Sequence, residues 1–368
     1  MSDKSSILAY NGWDPLEEVW LGDVWPSHFY DDLAPEVRDS FHQLTEWTKE
    51  DLNIIQTKLE EFNIVVRRPA IDETNKQLYL DPKTGKLYKP PICPRDFNVA
   101  IGDKLYFHKC PQQQAWLPVL ENYSNEDVIF SNKIICGGSI VRYGKDIIFD
   151  HVFMDQSSKE EIFKTYDNFL EHTLDYFKND FRCHFITNGG HIDGCFSIPH
   201  PGLIMTTGYF SDYDTFFPGW ERIHMSSPTY NKTKFVNKGV LQKWGIPEKK
   251  IFGQFHEYVE QHCVDWVGDF TETYFEINVL MLDEKNMLCM GTHEQLFKKL
   301  EQHGITCHVV PFRARTFWDG GIHCITSDIR RKAVCKDYFL DRGAPGLAMK
   351  STNLKDQFDA EYKLWKNN

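Results

Sequence analysis

A cysteine that follows two glycines is the chain's strongest candidate for chemistry. The stretch reads Arg315-Thr316-Phe317-Trp318-Asp319-Gly320-Gly321-Ile322-His323-Cys324-Ile325-Thr326-Ser327-Asp328. It suggests a polar turn, a glycine pair, and then a short apolar strand carrying the thiol. A glycine pair takes backbone conformations closed to other residues and lets a ligand or neighbouring chain come close. A thiol directly after it is placed to act as a nucleophile. Free cysteine is also among the most buried residue types, so Cys324 taken alone reads equally as a core thiol. A nucleophilic cysteine, with a free pKa of about 8.5, needs a proton partner, and a cationic imidazole lowers that pKa. His323 is adjacent in sequence but should point away if Cys324 lies on a strand. His191 is distant in sequence and could partner Cys324 only through the fold.

His191-Ile192-Asp193 follows Asn188-Gly189-Gly190. On a strand, residues two apart share a face, which would set imidazole and carboxylate side by side. The carboxylate could hold a cation while the imidazole moves protons near neutral pH. The same pair also reads as a surface histidine and aspartate at a strand start. Asp96, in Pro94-Arg95-Asp96-Phe97, is a second carboxylate at a loop-to-strand junction; capping a turn is the commoner use of such an aspartate.

Composition bounds the partners. The 368 residues carry 41 Lys and Arg against 53 Asp and Glu, a formal charge of −12. This balance argues against non-specific binding to nucleic acid or anionic membrane. No run of about 18 apolar residues offers a membrane span. The opening Met1-Ser2-Asp3-Lys4-Ser5-Ser6 lacks the form of a signal peptide. A cytoplasm-like compartment is expected. The ten cysteines are scattered with no C-x-x-C pair. Four adjoin a histidine, but neighbours on a strand face opposite ways, so no metal site is expected from them. Most of the ten read as small core residues in a reducing compartment.

The elements that must position these residues alternate between helices and strand pairs. Val19-Trp20-Leu21 reads as a first strand. Phe41, Leu44, Leu52, Ile55, Leu59 and Phe62 follow helical spacing over roughly residues 36–62. The helix runs into a strand at Ile64-Val65-Val66-Arg67-Arg68. Leu59-Glu60-Glu61-Phe62-Asn63-Ile64 resembles Leu300-Glu301-Gln302-His303-Gly304-Ile305 and Leu241-Gln242-Lys243-Trp244-Gly245-Ile246. In each, an Asn or Gly suited to the left-handed cap closes a helix before the next element begins. A further helix over roughly 158–178 opens on Ser158 and Glu161 and leads to the strand Arg182-Cys183-His184-Phe185-Ile186; the helix before Gly304 opens on Thr292 and Gln295. Strand-rich stretches are expected over 99–107, 133–149, 192–205 and 277–290, several of them hairpins, as at Ile140 to Ile148. Region 208–238 reads as a long loop able to cover a site, and the last ~20 residues as a terminal helix or tail. The recurrence points to pseudo-repeats in one α/β domain over 1–368 with mixed sheets.

The order and content of these segments resemble the amidinotransferase family, the group containing glycine amidinotransferase, within the wider superfamily of guanidine-modifying enzymes. Asn11-Gly12-Trp13-Asp14-Pro15-Leu16-Glu17-Glu18-Val19 resembles the family's opening N-E-W-D-P-L-E-E-V. Pro94-Arg95-Asp96 resembles its P-R-D, and His191-Ile192-Asp193 its H-I-D, with Pro201-Gly202 downstream. Asn278 to Lys285 and Gly320-Gly321-Ile322-His323-Cys324 complete the order. The resemblance implies five ββαβ-like units around a pseudo-fivefold axis, the α/β-propeller or pentein fold. It implies covalent catalysis with no cofactor and no metal, on a small-molecule guanidino donor, arginine for the family, and an acceptor amine. Cys324 would be the nucleophile, His191 the acid and base, and Asp193 the holder of the planar cation. Asp96, Glu276, Cys136, Ser139, Arg142, Gly321 and His323 would line the substrate pocket. Family members are often dimers, so a homodimer is compatible with the resemblance.

The chain departs from the family at named positions. Arg142-x-Gly144-x-Asp146 matches an R-x-G-x-D turn, but Cys136-Gly137-Gly138-Ser139 stands where the family has D-A-A-D, placing Cys136 at a guanidinium-binding aspartate. Thr206-Thr207-Gly208-Tyr209-Phe210 follows Pro201-Gly202 without the arginine the family uses on a substrate carboxylate. Glu276 stands where a small hydroxyl residue is the rule. Two further readings follow: a hydrolase on the same scaffold, a deiminase or dihydrolase with water as acceptor, and a binding homologue that has lost the chemistry.

Overall fold

A computed structural model describes residues 4–110, 112–131, 136–150, 170–186, 191–206, 213–224, 253–263, 266–267, 276–291 and 293–350. One strand order is used five times in it. Strand β1 (Leu16–Leu21) runs parallel to β2 (Val65–Arg67). β3 (Asn98–Ile101) pairs antiparallel with β4 (Lys104–His108), which runs parallel to β5 (Val128–Ser131). β6 (Ile140–Tyr143), β7 (Asp146–Asp150) and β8 (Arg182–Ile186) repeat the arrangement. So do β9 (Phe196–His200), β10 (Leu203–Thr206) and β11 (Glu221–His224). β12 (Leu280–Asp283), β13 (Asn286–Cys289) and β14 (Thr306–Val309) do so again. β15 (Thr326–Arg331) completes the first sheet by pairing antiparallel with β1, and β16 (Gly346–Lys350) adds to the edge of β8. Among the described residues the result is a mixed α/β fold of five separate sheets.

A parallel pair needs a crossover, normally through a helix, and each of the five has one. Helix α1 (Pro35–Glu61) joins β1 to β2, and α2 (Gln113–Leu120) joins β4 to β5. Residues 170–177 are helical between β7 and β8. The one-turn helix Tyr213–Phe216 lies between β10 and β11, and Glu294–Gln302 between β13 and β14. Part of region 208–238 is therefore not loop: a helical turn and β11 form there, because Ile223 and Phe216 are buried and β11 pairs with β10. The rest of that region, the repeat at 241–246, the start of the helix over 158–178, Thr292 and residues 351–368 lie outside the described residues. Helix Glu294–Gln302 has His293 as its N-cap, its ring accepting from the Leu296 amide at 3.2 Å.

α1 follows its expected face. Phe41, Leu44, Leu52, Ile55 and Leu59 are all buried, each worth about 1.5–3 kcal/mol when fully removed from water. Pro35 starts the helix where a missing N–H is harmless. Asn63, at φ 60°, ends it: its amide reaches Glu60 O and the Ile64 amide reaches Leu59 O. Gly304, at φ 76°, ends Glu294–Gln302 through the same two bonds, to Glu301 O and from Ile305 to Leu300 O. This is the paired-bond closure that the sequence similarity of the two segments anticipates.

One buried carboxylate ties the sheets together. Asp328 on β15 meets Arg95 at 2.9 Å, Arg142 at 2.6 Å and Arg331 at 2.6 Å. Arg331 also donates to Met281 O and Asp14 O, and Arg142 to Ala100 O. The three guanidinium groups hold the Asp328 carboxyl well below the usual carboxylate range despite its burial.

Candidate active site

The residues with chemical promise come from the short segment that precedes the first strand of each sheet. Asp96 is in the 3-10 turn Pro94–Asp96 before β3. Cys136 caps the turn Gly137–Ser139 before β6, and Ser139 is its last residue. His191 caps Ile192–Gly194, which holds Asp193, before β9. Glu276 and Asn278 lie in the turn before β12, and His323 and Cys324 in turn 322–325 before β15. Buried isoleucines fix these turns to the core: Ile192, Ile277, Ile322 and Ile325 are fully enclosed. The site is thus built on tight turns held by core packing.

Neither His191 to Asp193 nor Cys324 is on a strand, contrary to expectation. The turn at Cys324 changes the role of His323. Its ring, expected to point away, meets Asp193 Oδ2 at 2.7 Å, and Cys324 Sγ reaches the same oxygen at 3.7 Å. Burial, with the Arg95 guanidinium nearby, holds His323 below its usual pKa even with Asp193 as partner. Asp193 itself is only 5 % exposed. Burial raises its carboxyl, but the His323 bond and charge, then His191 and Arg95, outweigh that and keep it lowered, hence ionised. Its Oδ1 is buried and has no hydrogen-bond partner among the described residues, and the same holds for Ser139 Oγ.

The thiol of Cys324 is 4 % exposed. Asn278 Nδ2 lies 3.1 Å from Sγ, and Asn278 Oδ1 accepts from the amides of His323 at 2.9 Å and Cys324 at 3.1 Å. Burial, then the carboxylate of Asp193, the neighbouring Cys93 sulfur and the carboxylate of Asp96, push the thiol well above its ordinary pKa. The glycine pair serves close approach here. A Cβ on Gly321 would stand 2.4 Å from Asn278 Oδ1, and one on Gly320 3.2 Å from Cys93 Sγ.

His191 lies beside this cluster. A Cβ on Gly138 would sit 3.1 Å from His191 Nδ1 and 3.5 Å from Asp193 Oδ1, so both groups border one methyl-sized space. On its other side His191 Nε2 is 3.5 Å from Cys136 Sγ, and Nδ1 is 3.9 Å from Asp96 Oδ1. The Cys136 sulfur is the main cause that raises His191 well above its ordinary pKa, with Asp96 and Asp193 adding to it against burial.

One expected pocket residue, Arg142, is already held by groups of the chain itself. Arg142 is committed to Asp328 and Ala100 O, because its strand directs it into the polar hub. Glu276 lies over Gly291, where an added Cβ would be 3.0 Å from its Cδ. Asn278 was not among the expected site residues, although its segment was noted for the resemblance. The signal available was a polar residue ahead of the apolar run Val279-Leu280-Met281-Leu282.

No family model matches the chain. The mitochondrial glycine amidinotransferase of Xenopus tropicalis is 22 % identical over 395 residues, spanning 90 % of this chain and 85 % of that protein. The chain is a relative of the amidinotransferases. Inosamine-phosphate amidinotransferase 1 of Streptomyces glaucescens is 20 % identical, over 91 % of this chain and 99 % of that one. Among solved structures, SxtG, an amidinotransferase of Microseira wollei in saxitoxin biosynthesis, superposes with a TM-score of 0.63 at 18 % identity. It covers 90 % of this chain and 99 % of its own, and that likeness is one of fold. The expected enzyme class, an amidinotransferase, agrees with the names of these relatives. Among the described residues no helix is long and apolar enough to cross a membrane.

Proposed function

We propose that this amidinotransferase relative is an enzyme that moves an amidino group from a guanidino donor, arginine or an analogue, to an acceptor amine, through a covalent intermediate on Cys324. The observation that carries the reading is Asp193. One of its oxygens is 3.7 Å from Cys324 Sγ, while the other is buried with its acceptor capacity open. A planar guanidinium matches a carboxylate with two N–H donors. Held there, its central carbon comes up to the sulfur.

The electrostatics support a cation as the trigger. The negative groups around Cys324 favour the neutral thiol. A bound guanidinium offsets those charges, so the substrate itself makes the thiolate accessible, the thiol proton leaving to solvent. The sulfur then forms a bond to the central carbon. The carbon–nitrogen bond to the leaving amine breaks as His191, which favours its protonated form, gives that nitrogen a proton. An amidino-thioether remains on Cys324. The acceptor amine attacks the same carbon, passes a proton to His191, and the carbon–sulfur bond breaks. Asp96, about one-third exposed beside His191, adds negative charge for the cation. The reaction needs only small molecules, in a cytoplasm-like compartment.

We also read the five sheets as the units of one α/β-propeller. Support comes from the shared strand order and from site residues drawn from the matching turn of every unit.

The test is incubation with arginine and a panel of amines. Ornithine, a guanidino product and an amidino adduct on the intact protein are expected, all absent with Cys324→Ala. Ammonia released without any amine would instead indicate a hydrolase. The absence of any adduct or product across guanidino donors would remove the covalent reading.

A further inference from the structure

We propose that Asp96, Cys136 and His191 form a Zn2+ site that switches off the acid–base histidine. The inference rests on the reading of His191 given above and adds a mode of regulation to it.

The three side chains offer one sulfur, one imidazole nitrogen and one carboxylate oxygen, each within 4.8 Å of the other two. Zinc takes such mixed donors at about 2.3 Å for sulfur, about 2.0–2.1 Å for nitrogen and about 2.0–2.2 Å for carboxylate oxygen. A tetrahedral ion then sets sulfur and nitrogen about 3.5 Å apart. Cys136 Sγ and His191 Nε2 are separated by 3.5 Å. Asp96 Oδ1 stands 3.9 Å from the other ring nitrogen, Nδ1, so the carboxylate must swing toward Nε2, and Asp96, about one-third exposed, has room to do so.

The turns that carry Cys136 and Asp96 lie in close contact. An added Cβ on Gly137 would strike Asn98 O at 2.4 Å and Arg95 O at 2.8 Å. The Cys136 turn is therefore packed hard against the turn that carries Asp96. Cys136 and His191 are both partly exposed, so an ion can enter. Three protein ligands leave a fourth position for water, the open arrangement of non-structural zinc.

Coordination takes Cys136 as thiolate and His191 as neutral imidazole, the protons of both passing to solvent. The lone pair of His191 is then held by the metal and can no longer accept a proton from an amine. Cys324 takes no part in the site: its sulfur stays with Asn278 and Asp193.

The full-length protein is titrated with Co2+ as an optical probe and with Zn2+ by calorimetry. One equivalent should bind, with a thiolate-to-cobalt charge-transfer band in wild type and in Cys324→Ala. Cys136→Ser should lose the band and weaken Zn2+ binding by more than about 100-fold, beyond the 10–100-fold cost of disturbing an outer-shell partner. Asp96→Asn should keep the band and bind more weakly. Amidino transfer should fall with stoichiometric Zn2+ and return with a chelator. A band that survives Cys136→Ser, or that depends on Cys324, overturns the assignment, as does the lack of stoichiometric binding. Metal binding without any transferase activity would sink the functional reading and leave the site standing; activity indifferent to bound metal would sink the switch.

Discussion

Asn278 grips Cys324 from both ends of its amide: Oδ1 accepts the Cys324 backbone N–H at 3.1 Å while Nδ2 stands 3.1 Å from the sulfur. A thiolate formed on Cys324 thus has a fixed N–H donor before any substrate arrives. Asn278→Asp keeps the acceptor and replaces the donor with negative charge; Asn278→Ala removes both. We expect kcat/KM to fall about 10–100-fold in either variant, the usual cost of losing a group that orients a reacting one. Iodoacetamide labelling of Cys324 across pH separates this from simple damage. In Asn278→Asp the labelling profile should move to higher pH. An unchanged profile would show that the amide does nothing for the sulfur.

Gly321 makes that grip possible. A methyl added there would lie 2.4 Å from Asn278 Oδ1 and 2.7 Å from its Cβ, far inside van der Waals contact. Gly321→Ala should therefore displace Asn278, with overpacking that costs about 1–3 kcal/mol of stability. Thermal melts should show the loss, and Cys324 labelling should change as in Asn278→Ala. A variant with wild-type melting and labelling would mean that the turn relaxes freely.

Much of this site could be read from residue order because each part lies in a short, punctuated segment. Strand pairs, helix α1 and the closures at Asn63 and Gly304 follow from local rules of spacing and capping. The facing of side chains did not. Period-two alternation set His323 away from Cys324, yet the pair sits in a turn, where adjacent side chains can converge on one carboxylate. Arg142 likewise has the look of a ligand for substrate, but the partner that claims it, Asp328, is distant in sequence. Asn278 escaped notice for the same reason: its importance lies in a contact with a turn that only the assembled core brings near.

Asp328 predicts an acid weakness. Its folded pKa is depressed well below the ordinary value, so it contributes stability above the unfolded pKa of about 3.9. That contribution is lost as pH falls from there through the lower folded value. Asp328→Asn strands three buried guanidinium groups and should cost about 3–5 kcal/mol at neutral pH, as for a broken buried pair. Its stability should also fall less steeply than wild type below about pH 4. Denaturant melts at neutral pH and in that acid range test both points. Parallel acid slopes in the two proteins would show that Asp328 is not the group responsible.

Cys136 gives the sharpest test of donor choice. The resemblance aligns it with a family carboxylate; it lies 3.5 Å from His191 and presents sulfur in place of a carboxylate. Cys136→Asp would add a third carboxylate to Asp96 and Asp193 around the cation. A charge-assisted hydrogen bond is worth about 1.5–3 kcal/mol, so KM for arginine should drop roughly 10–100-fold by that energy. The cost falls on turnover, since His191 between added negative charges holds its proton more tightly and gives it up more slowly. Steady-state kinetics with arginine should show lower KM together with lower kcat. A rise in KM would mean that this pocket is shaped for a donor other than arginine, and that the thiol is part of how it is recognised.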